Sequence, residues 1–238
     1  MTIKQSRIAW FILIYVGVVS FFLLAAHVFN SAVTVMALRQ PVEREHTIVI
    51  DAGHGGEDGG AVSCTGVMEK QINLEIALEL NDLFHLLGHK TRMIRTDDRS
   101  VYTAGDTITR RKVSDLKERV RMVEETEDAI LVSIHQNLFP DARYSGAQIF
   151  YGRAGEGQAL AEALQTSFRQ TINPSSKREI KRAQGVYLME QTSCTGVLVE
   201  CGFLSNPEEE ARLRAKDYQQ KICVVIASTL ANHLDCQT

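Results

Sequence analysis

The sequence predicts a single α/β domain, a twisted and mostly parallel or mixed sheet of about six strands with helices on both faces, preceded by an N-terminal transmembrane helix. Three observations carry that reading. The chain has 238 residues, 45% hydrophobic and 23% charged with only 4 prolines, which is enough apolar material for one well-buried core. From His46 onward, strand-like and helix-like stretches alternate. Ahead of them, "IAWFILIYVGVVSFFLLAAHVF" runs from Ile8 to Phe29 without a formal charge, long enough to cross a bilayer as a helix.

The N-terminal run is flanked by Lys4 and Arg7 on one side, and the next basic residue is Arg39. The positive-inside rule therefore puts the N-terminus in the cytoplasm and everything downstream outside. Two fates remain open for it. An uncleaved anchor fits the length, because the apolar region of a signal peptide spans only roughly 7 to 15 residues. A cleaved segment would use "VMA" at 35 to 37. Residues 1–40 are read as this anchor or signal segment and 41–238 as the globular domain, and a run apolar on every face is a poor candidate for a core helix in so small a fold.

In the domain, "HTIVID" reads as the first strand. "EKQINLEIALELNDLFHLLGH" follows as the clearest helix, with Ile72, Ile76, Leu80, Leu83 and Leu87 at helical spacing and Gly88 as its stop. "KTRMIRT" is the second strand. A polar stretch from Asp97 to Thr109 leads to a helix with Val113, Leu116, Val120 and Val123 on one side. "AILVSIH" makes the third strand, "GAQIFYG" the fourth, "EGQALAEALQTSFRQTI" an amphipathic helix, "GVYLM" the fifth strand and "TGVLVECGF" the sixth. Asn206 caps "NPEEEARL", with Pro207 and acidic residues in its first turn, and "YQQKICVVIASTLANHL" is the last core-facing helix.

Composition excludes several classes. A net charge of -3, with no basic stripe and no aromatics interleaved with Arg or Lys, argues against a nucleic-acid partner. Five cysteines, Cys64, Cys194, Cys201, Cys223 and Cys236, are odd in number, scattered and without a CxxC, so neither a disulfide framework nor a thiolate metal site is expected. Gly53 and Gly55 are followed by Asp58 where a dinucleotide loop needs a third glycine, and no GK[ST] occurs. No internal repeat is present.

The polar residues that remain gather at strand ends. His54 follows the first strand in "IDAGHGG", His135 closes the third in "SIHQN", Glu200 closes the sixth in "LVECGF", and Glu69 opens the first helix. If those strands are parallel neighbours, the four converge on one crevice at their carboxyl ends. Two imidazoles and a carboxylate make a catalytic zinc set with a coordination position to spare. The glycines around His54 then let the backbone turn off the strand and keep the space above open for a bulky substrate. His85 and His89 stand at i and i+4 but lack the glutamate of HExxH, and they read as helix-end residues. His27, His46 and His233 have no assigned role.

The motifs "IVIDAGHGGEDGGA", "EKQINLEIA", "RTDD", "LVSIHQN" and "LVECGFLSNPEE", in that order from about Thr47 to Leu234, resemble the zinc-dependent N-acetylmuramoyl-L-alanine amidases of the type-3 kind. The resemblance implies Zn2+ held by His54, Glu69 and His135, Glu200 as the catalytic base, and peptidoglycan as substrate. "RRKVSDLKERV" and "QGVYLM" are similar to the branch of endospore formers that trims muramic acid in the spore cortex on the way to muramic-δ-lactam. Division-type members carry a long insertion with a blocking helix near the zinc, whereas this chain has only the short loop "NLFPDARYSG".

As base, Glu200 would take a proton from water and return it to the leaving amine of L-alanine. Glu57 and Asp58 are the competing carboxylates, read as loop residues that orient His54. Asn137 is expected to line the cleft, and Arg95 and Arg119 to meet substrate carboxylates. Two other readings stand against this one. A thiol peptidase would use Cys201 or Cys194 with His135, although strand alternation turns Cys201 away if Glu200 faces the crevice. An inactive wall-binding domain would have lost a ligand or the base. An accessory protein partner that helps hold zinc or substrate is motivated by the lack of a separate wall-binding module.

Overall fold

Ile48, Ile50 and Ala52 alternate with Val49 and Asp51 so that both faces of the first strand, β1 (Thr47–Ala52), are buried, as a central parallel strand requires. The computed structural model describes residues 16–21, 24, 46–152 and 156–235. The chain divides into two compact units, Met1–Glu43 and Arg44–Thr238. Of the first, residues 16–21 and 24 are helical and exposed. The rest of the transmembrane helix expected over Ile8 to Phe29 lies outside the described residues, and among the described residues no helix is long and apolar enough to cross a membrane.

The second unit is one α/β domain. After β1 come α1 (Glu69–Leu86), β2 (Lys90–Met93), α2 (Ile108–Glu124), β3 (Ala129–Asn137), β4 (Gln148–Tyr151), α3 (Gly157–Thr171), β5 (Lys181–Arg182), α4 (Tyr187–Gln191), β6 (Thr195–Phe203), α5 (Pro207–Leu213) and α6 (Lys216–Asp235). The strands form one mixed sheet in the order β2-β1-β3-β6-β4-β5. β1, β2, β3 and β6 run parallel, and β4 is antiparallel to β6.

Strand alternation sorts the side chains into two layers. Ile48, Ile50, Val132, Ile134, Val197 and Val199 pack with α1, α3 and α6 through residues such as Ile76, Leu164 and Ile226. Val49, Leu131 and Leu198 face the other way and meet Val123 of α2 with Leu188 and Met189 of α4. Since β1 connects through α1 to one neighbour and β3 returns through α2 on its other side, the order reverses between β1 and β3. Crevices open at such a switch point, outside the carboxyl ends of the strands.

Three local expectations are corrected. "GVYLM" is not a strand: Gly185 takes φ +76 and Tyr187–Gln191 is a short helix, whereas β5 is the polar pair Lys181–Arg182. A short apolar run has no period that separates helix from strand, and a two-residue edge strand has no alternation at all. In α2 the expected apolar side is only half used, because Val123 is buried but Val113 is 48% and Leu116 36% exposed. The front of that helix borders an open cleft instead of the sheet. In α1, Phe84 completes the buried face of Ile72, Ile76 and Leu80, while Leu87 lies beyond the helix and is exposed.

Candidate metal centre

The chain leaves β1 at Gly53 and enters a turn in which His54 has φ 62, Gly55 φ 135 and Gly56 φ 57. Positive φ is costly for a side-chain-bearing residue, so His54 must be held there. The clamp is made of buried arginines. Arg95 Nε donates to the Ala52 carbonyl (2.8 Å) and its Nη2 to the carbonyls of Gly53 (3.0 Å) and Lys70 (2.9 Å). Arg119 Nη2 donates to the His54 carbonyl (2.7 Å), while its Nη1 pairs with Asp51 and its Nε with Asp115. Asp98 accepts from Gly56 N (2.9 Å) and from Lys70 Nζ (2.7 Å), and Ser100 Oγ donates to the Gly55 carbonyl (2.8 Å).

This placement corrects the expectation that Arg95 and Arg119 meet substrate carboxylates. They are 0% and 3% exposed, and their nitrogens are engaged by protein acceptors. The "RTDD" stretch and α2 thus build the loop from beneath.

Glycine positions set how closely the polar groups approach. A Cβ at Gly53 would fall 2.3 Å from the His135 ring, and one at Gly60 would fall 2.6 Å from both Glu69 Oε2 and the His54 ring. With both side chains absent, Glu69 Oε2 lies 3.2 Å from His54 Nε2 and Glu69 Oε1 2.9 Å from His135 Nδ1. The imidazoles stand edge to face with centroids 5.0 Å apart. One ligand atom from each of His54, Glu69 and His135 falls within 4.8 Å of the others, an arrangement that can hold a metal ion.

The sequence singled out Asp58 but not Asn73, Ala61 or Gln136 among the groups that support this set. Asn73, one helical turn beyond Glu69, donates to Glu69 Oε1 and to the Gly53 carbonyl (both 3.1 Å), and Ala61 N and Gln136 N also donate to the Glu69 carboxylate. An asparagine at i+4 on a helix opened by a glutamate is the signal that could have found it. Asp58 pairs with His54 Nδ1 (2.9 Å), which leaves Nε2 facing Glu69, whereas Glu57 is taken up by Arg111.

The electrostatics agree with the geometry. Burial pushes His54 down, but hydrogen bonds and charge from Glu69 and then Asp58 outweigh it and raise its pKa to about 9. Burial likewise opposes the charge on Glu69, yet His135 and His54 hold its pKa far below the carboxylate range. Asp58, against burial, is brought to about 2 by Lys112 and His54. A carboxylate between two imidazoles is a pre-arranged cation site.

Glu200 sits directly across from His135 in the β3–β6 register, immediately before the irregularity at which Asn137 pairs with Phe203. Its Oε2 is buried without a hydrogen-bond partner among the described residues. Burial raises its pKa to about 7, opposed by His135. A buried, unpartnered carboxylate oxygen beside a metal-capable cluster is what a proton-transfer group requires. Asn137, two residues past His135, is half-buried. A cleft of ≈ 220 Å³ opens beside His54 and His135, walled by Tyr102, Ile108, Leu116 and Leu188.

Other candidates fall away from this centre. Cys201 packs in the opposite layer, and burial pushes its thiol pKa well up. Burial likewise raises Cys194 to about 11, so neither thiol is a nucleophile near neutral pH and the thiol-peptidase reading is set aside. His85 bonds Thr91 and His89 packs edge-on against Phe84. Cys64, Cys194, Cys201 and Cys223 are free thiols, while Cys236 and His27 lie outside the described residues.

A layered α/β sheet with a His-Glu-His cluster and a lone buried carboxylate at its switch point has the make-up of a metal-assisted hydrolase. The family model described as N-acetylmuramoyl-L-alanine amidase matches residues 48–232, and the chain belongs to that family. It is thus an amidase of peptidoglycan. The germination-specific N-acetylmuramoyl-L-alanine amidase of Bacillus subtilis (strain 168) is 38% identical over 177 residues, covering 74% of each chain. The structure of the CwlD amidase from Clostridioides difficile in complex with the GerS lipoprotein is 34% identical with a TM-score of 0.76, covering 80% of this chain and 98% of that one. An N-acetylmuramoyl-L-alanine amidase structure from Clostridium difficile 630 is 28% identical with a TM-score of 0.70, covering 82% and 100%.

The close approach at Gly53 makes one prediction. Gly53→Ala should push the His135 imidazole aside and lower turnover on peptidoglycan by about 100-fold, the scale of an ångström's misplacement at a reacting centre. Wild-type turnover in a folded Gly53→Ala protein would show that the contact does not set the site.

Proposed function

We propose that this chain is a zinc-dependent amidase that cuts the bond between N-acetylmuramic acid and L-alanine in spore cortex, a step toward muramic-δ-lactam, with His54, Glu69 and His135 as metal ligands and Glu200 as the general base. The observation that carries the site assignment is the convergence of those three ligand groups beside a carboxylate oxygen that has no hydrogen-bond partner among the described residues. Two nitrogens and one oxygen suit zinc and leave a position open for chemistry. Bound there, zinc supplies Lewis acidity at the lactyl carbonyl and makes water a nucleophile near neutral pH.

The chain's own groups do the rest. Asp58 orients His54, while Asn73 and the Gln136 and Ala61 amides fix the Glu69 carboxylate. Glu200 accepts the proton of the attacking water and returns it to the amine of L-alanine. Asn137 borders the same crevice. The cortex assignment is supported by similarity to the germination-specific amidase and to the CwlD amidase, and the latter's complex with a lipoprotein supports an accessory protein partner here.

Residues 41–238 are proposed as the catalytic domain, held outside the cytoplasm behind the charge-free run from Ile8 to Phe29, whose flanking Lys4 and Arg7 orient it. The test is release of new amino termini from purified cortex peptidoglycan by the full chain. Activity should vanish with a chelator and return with zinc, and a reporter fused after Arg39 should work only outside the cytoplasm. Full activity in metal-free protein would overturn the zinc reading, and a cytoplasmic reporter signal the topology.

A further inference from the structure

Three strands present one row of side chains on the same face of the sheet. In the parallel register His135 stands opposite Glu200, and in the antiparallel register Glu200 stands opposite Gln148. The row continues past the sheet's antiparallel strand, because Gln148 Nε2 donates to the Glu179 carbonyl (2.9 Å) and Arg178 Nη1 donates to Gln148 Oε1 (3.0 Å). Arg178 is fixed there by a bond from its Nε to the Ser145 carbonyl (2.7 Å) and by the Phe203 ring, 4.2 Å away. Beyond it lies a second cleft of ≈ 690 Å³, more open than the one beside His54.

The two clefts differ in charge. Around the His54 cleft the cations are matched, Arg111 by Glu57, Lys112 by Asp58 and Arg119 by Asp51 and Asp115. The second cleft is lined by Arg143, Lys177, Arg178 and Lys181 against Asp141 and Glu179, and Asp141 is taken by Arg143. Lys177 and Lys181 are exposed and make no ion pair among the described residues. The unpaired lysines make this wall attractive to anions, whereas the side-chain cations of the other are matched.

The reaction fixes which half of the substrate belongs on which side. The oxygen of water bonds to the lactyl carbonyl carbon, the C–N bond breaks with its electron pair going to nitrogen, and the proton taken by the base goes to that nitrogen. The group that returns the proton must lie beside the leaving peptide. Glu200 stands between His135 and Gln148, and Gln148 lines the cationic cleft, whereas His54 borders the charge-matched one. The leaving half is also the acidic half, since a stem peptide carries the free carboxylates of its glutamyl and following residues while the glycan at the cut is neutral.

We propose that the cleft lined by Lys177, Arg178 and Lys181 is the stem-peptide subsite, receiving peptide carboxylates and placing the glycan on the His54 side. The proposal rests on Glu200 being the base of the amidase reaction. It makes Lys177 and Lys181 specificity-determining residues for acidic over amidated stem peptides.

The test compares two muropeptides on the zinc-loaded full-length chain, one with a free glutamyl α-carboxylate and one with that carboxylate amidated. The wild type should show a KM about tenfold lower for the acid than for the amide, a preference that salt weakens because these charges are exposed. The double variant Lys177→Glu and Lys181→Glu should lose that preference, with kcat changed less than about twofold, since the lysines touch substrate far from the reacting bond. Retained preference in the folded variant, or no preference in an active wild type, would overturn the subsite while leaving the amidase reading intact. A wild type that cleaves neither muropeptide would instead overturn the reading of the site, and the subsite with it.

Discussion

Glu200→Gln is expected to keep its metal and its fold while losing turnover on peptidoglycan by roughly 100-fold or more, the usual scale for a general base. The amide keeps the volume and the place opposite His135 but cannot accept a proton from water. Stability separates this from a structural role. Burial raises the Glu200 pKa from 4.5 to about 7, so folding favours the protonated form. The cost of ionising it is absent below pH 4.5 and complete once the pH has passed about 7. In metal-free protein at pH 8, Glu200→Gln should therefore melt above the wild type, and the difference should close as the pH falls to 4.5. Zinc content, melting temperature and product release measured on one preparation decide it. Zinc retained with wild-type turnover would remove Glu200 as the base and turn attention to Asp58.

Removing Glu69 should have the largest effect on metal and stability together. Its carboxylate faces both imidazoles and accepts from Asn73, Ala61 N and Gln136 N, so Glu69→Ala strands five polar groups in a buried place. Breaking a buried charge pair from one side costs about 3 to 5 kcal/mol, and loss of a ligand should weaken zinc binding by more than about 100-fold.

The pH dependence follows from both partners. Glu69, held low, contributes stability above pH 4.5 and loses it as the pH falls below that. His54, held up to about 9, contributes fully below pH 6.5 and loses its contribution as the pH rises through 9. The melting-temperature gap between metal-free wild type and Glu69→Ala should thus be widest between pH 4.5 and 6.5 and narrow toward pH 9. Glu69→Gln, which keeps the volume, should recover part of the stability but not the zinc. Stoichiometric zinc in Glu69→Ala at ordinary chelator levels would show that Glu69 is not a ligand.

Much of this protein was legible in its sequence because the signals are local. Period-two and period-3.6 apolar patterns, Asn206 with Pro207 at a helix start, and Gly88 past a helix end each report a conformation set by nearby atoms. The motif order placed His54, Glu69, His135 and Glu200 at element ends, and parallel strands at a switch point brought those ends together. Where a segment carried no period, as at Gly185 to Met189, the local signal gave the wrong element.

Tertiary structure alone decided what the arginines do. Arg95 and Arg119 look like substrate-binding cations in sequence, but burial is a property of the packed fold, and once buried their charge must be spent on the carbonyls of the loop and on Asp51 and Asp115. It also decided that Gly53 must lack a side chain to admit the His135 ring and that Glu200 keeps an oxygen without a hydrogen-bond partner among the described residues. The contrast between a charge-matched cleft and a cationic one belongs to the same class. The sequence by itself determined most of the elements and which polar residues stand at their ends, because those depend on neighbours along the chain. Distances, burial and charge matching depend on residues far apart along it, such as His54 and Arg119, which meet only when the sheet and its helices close.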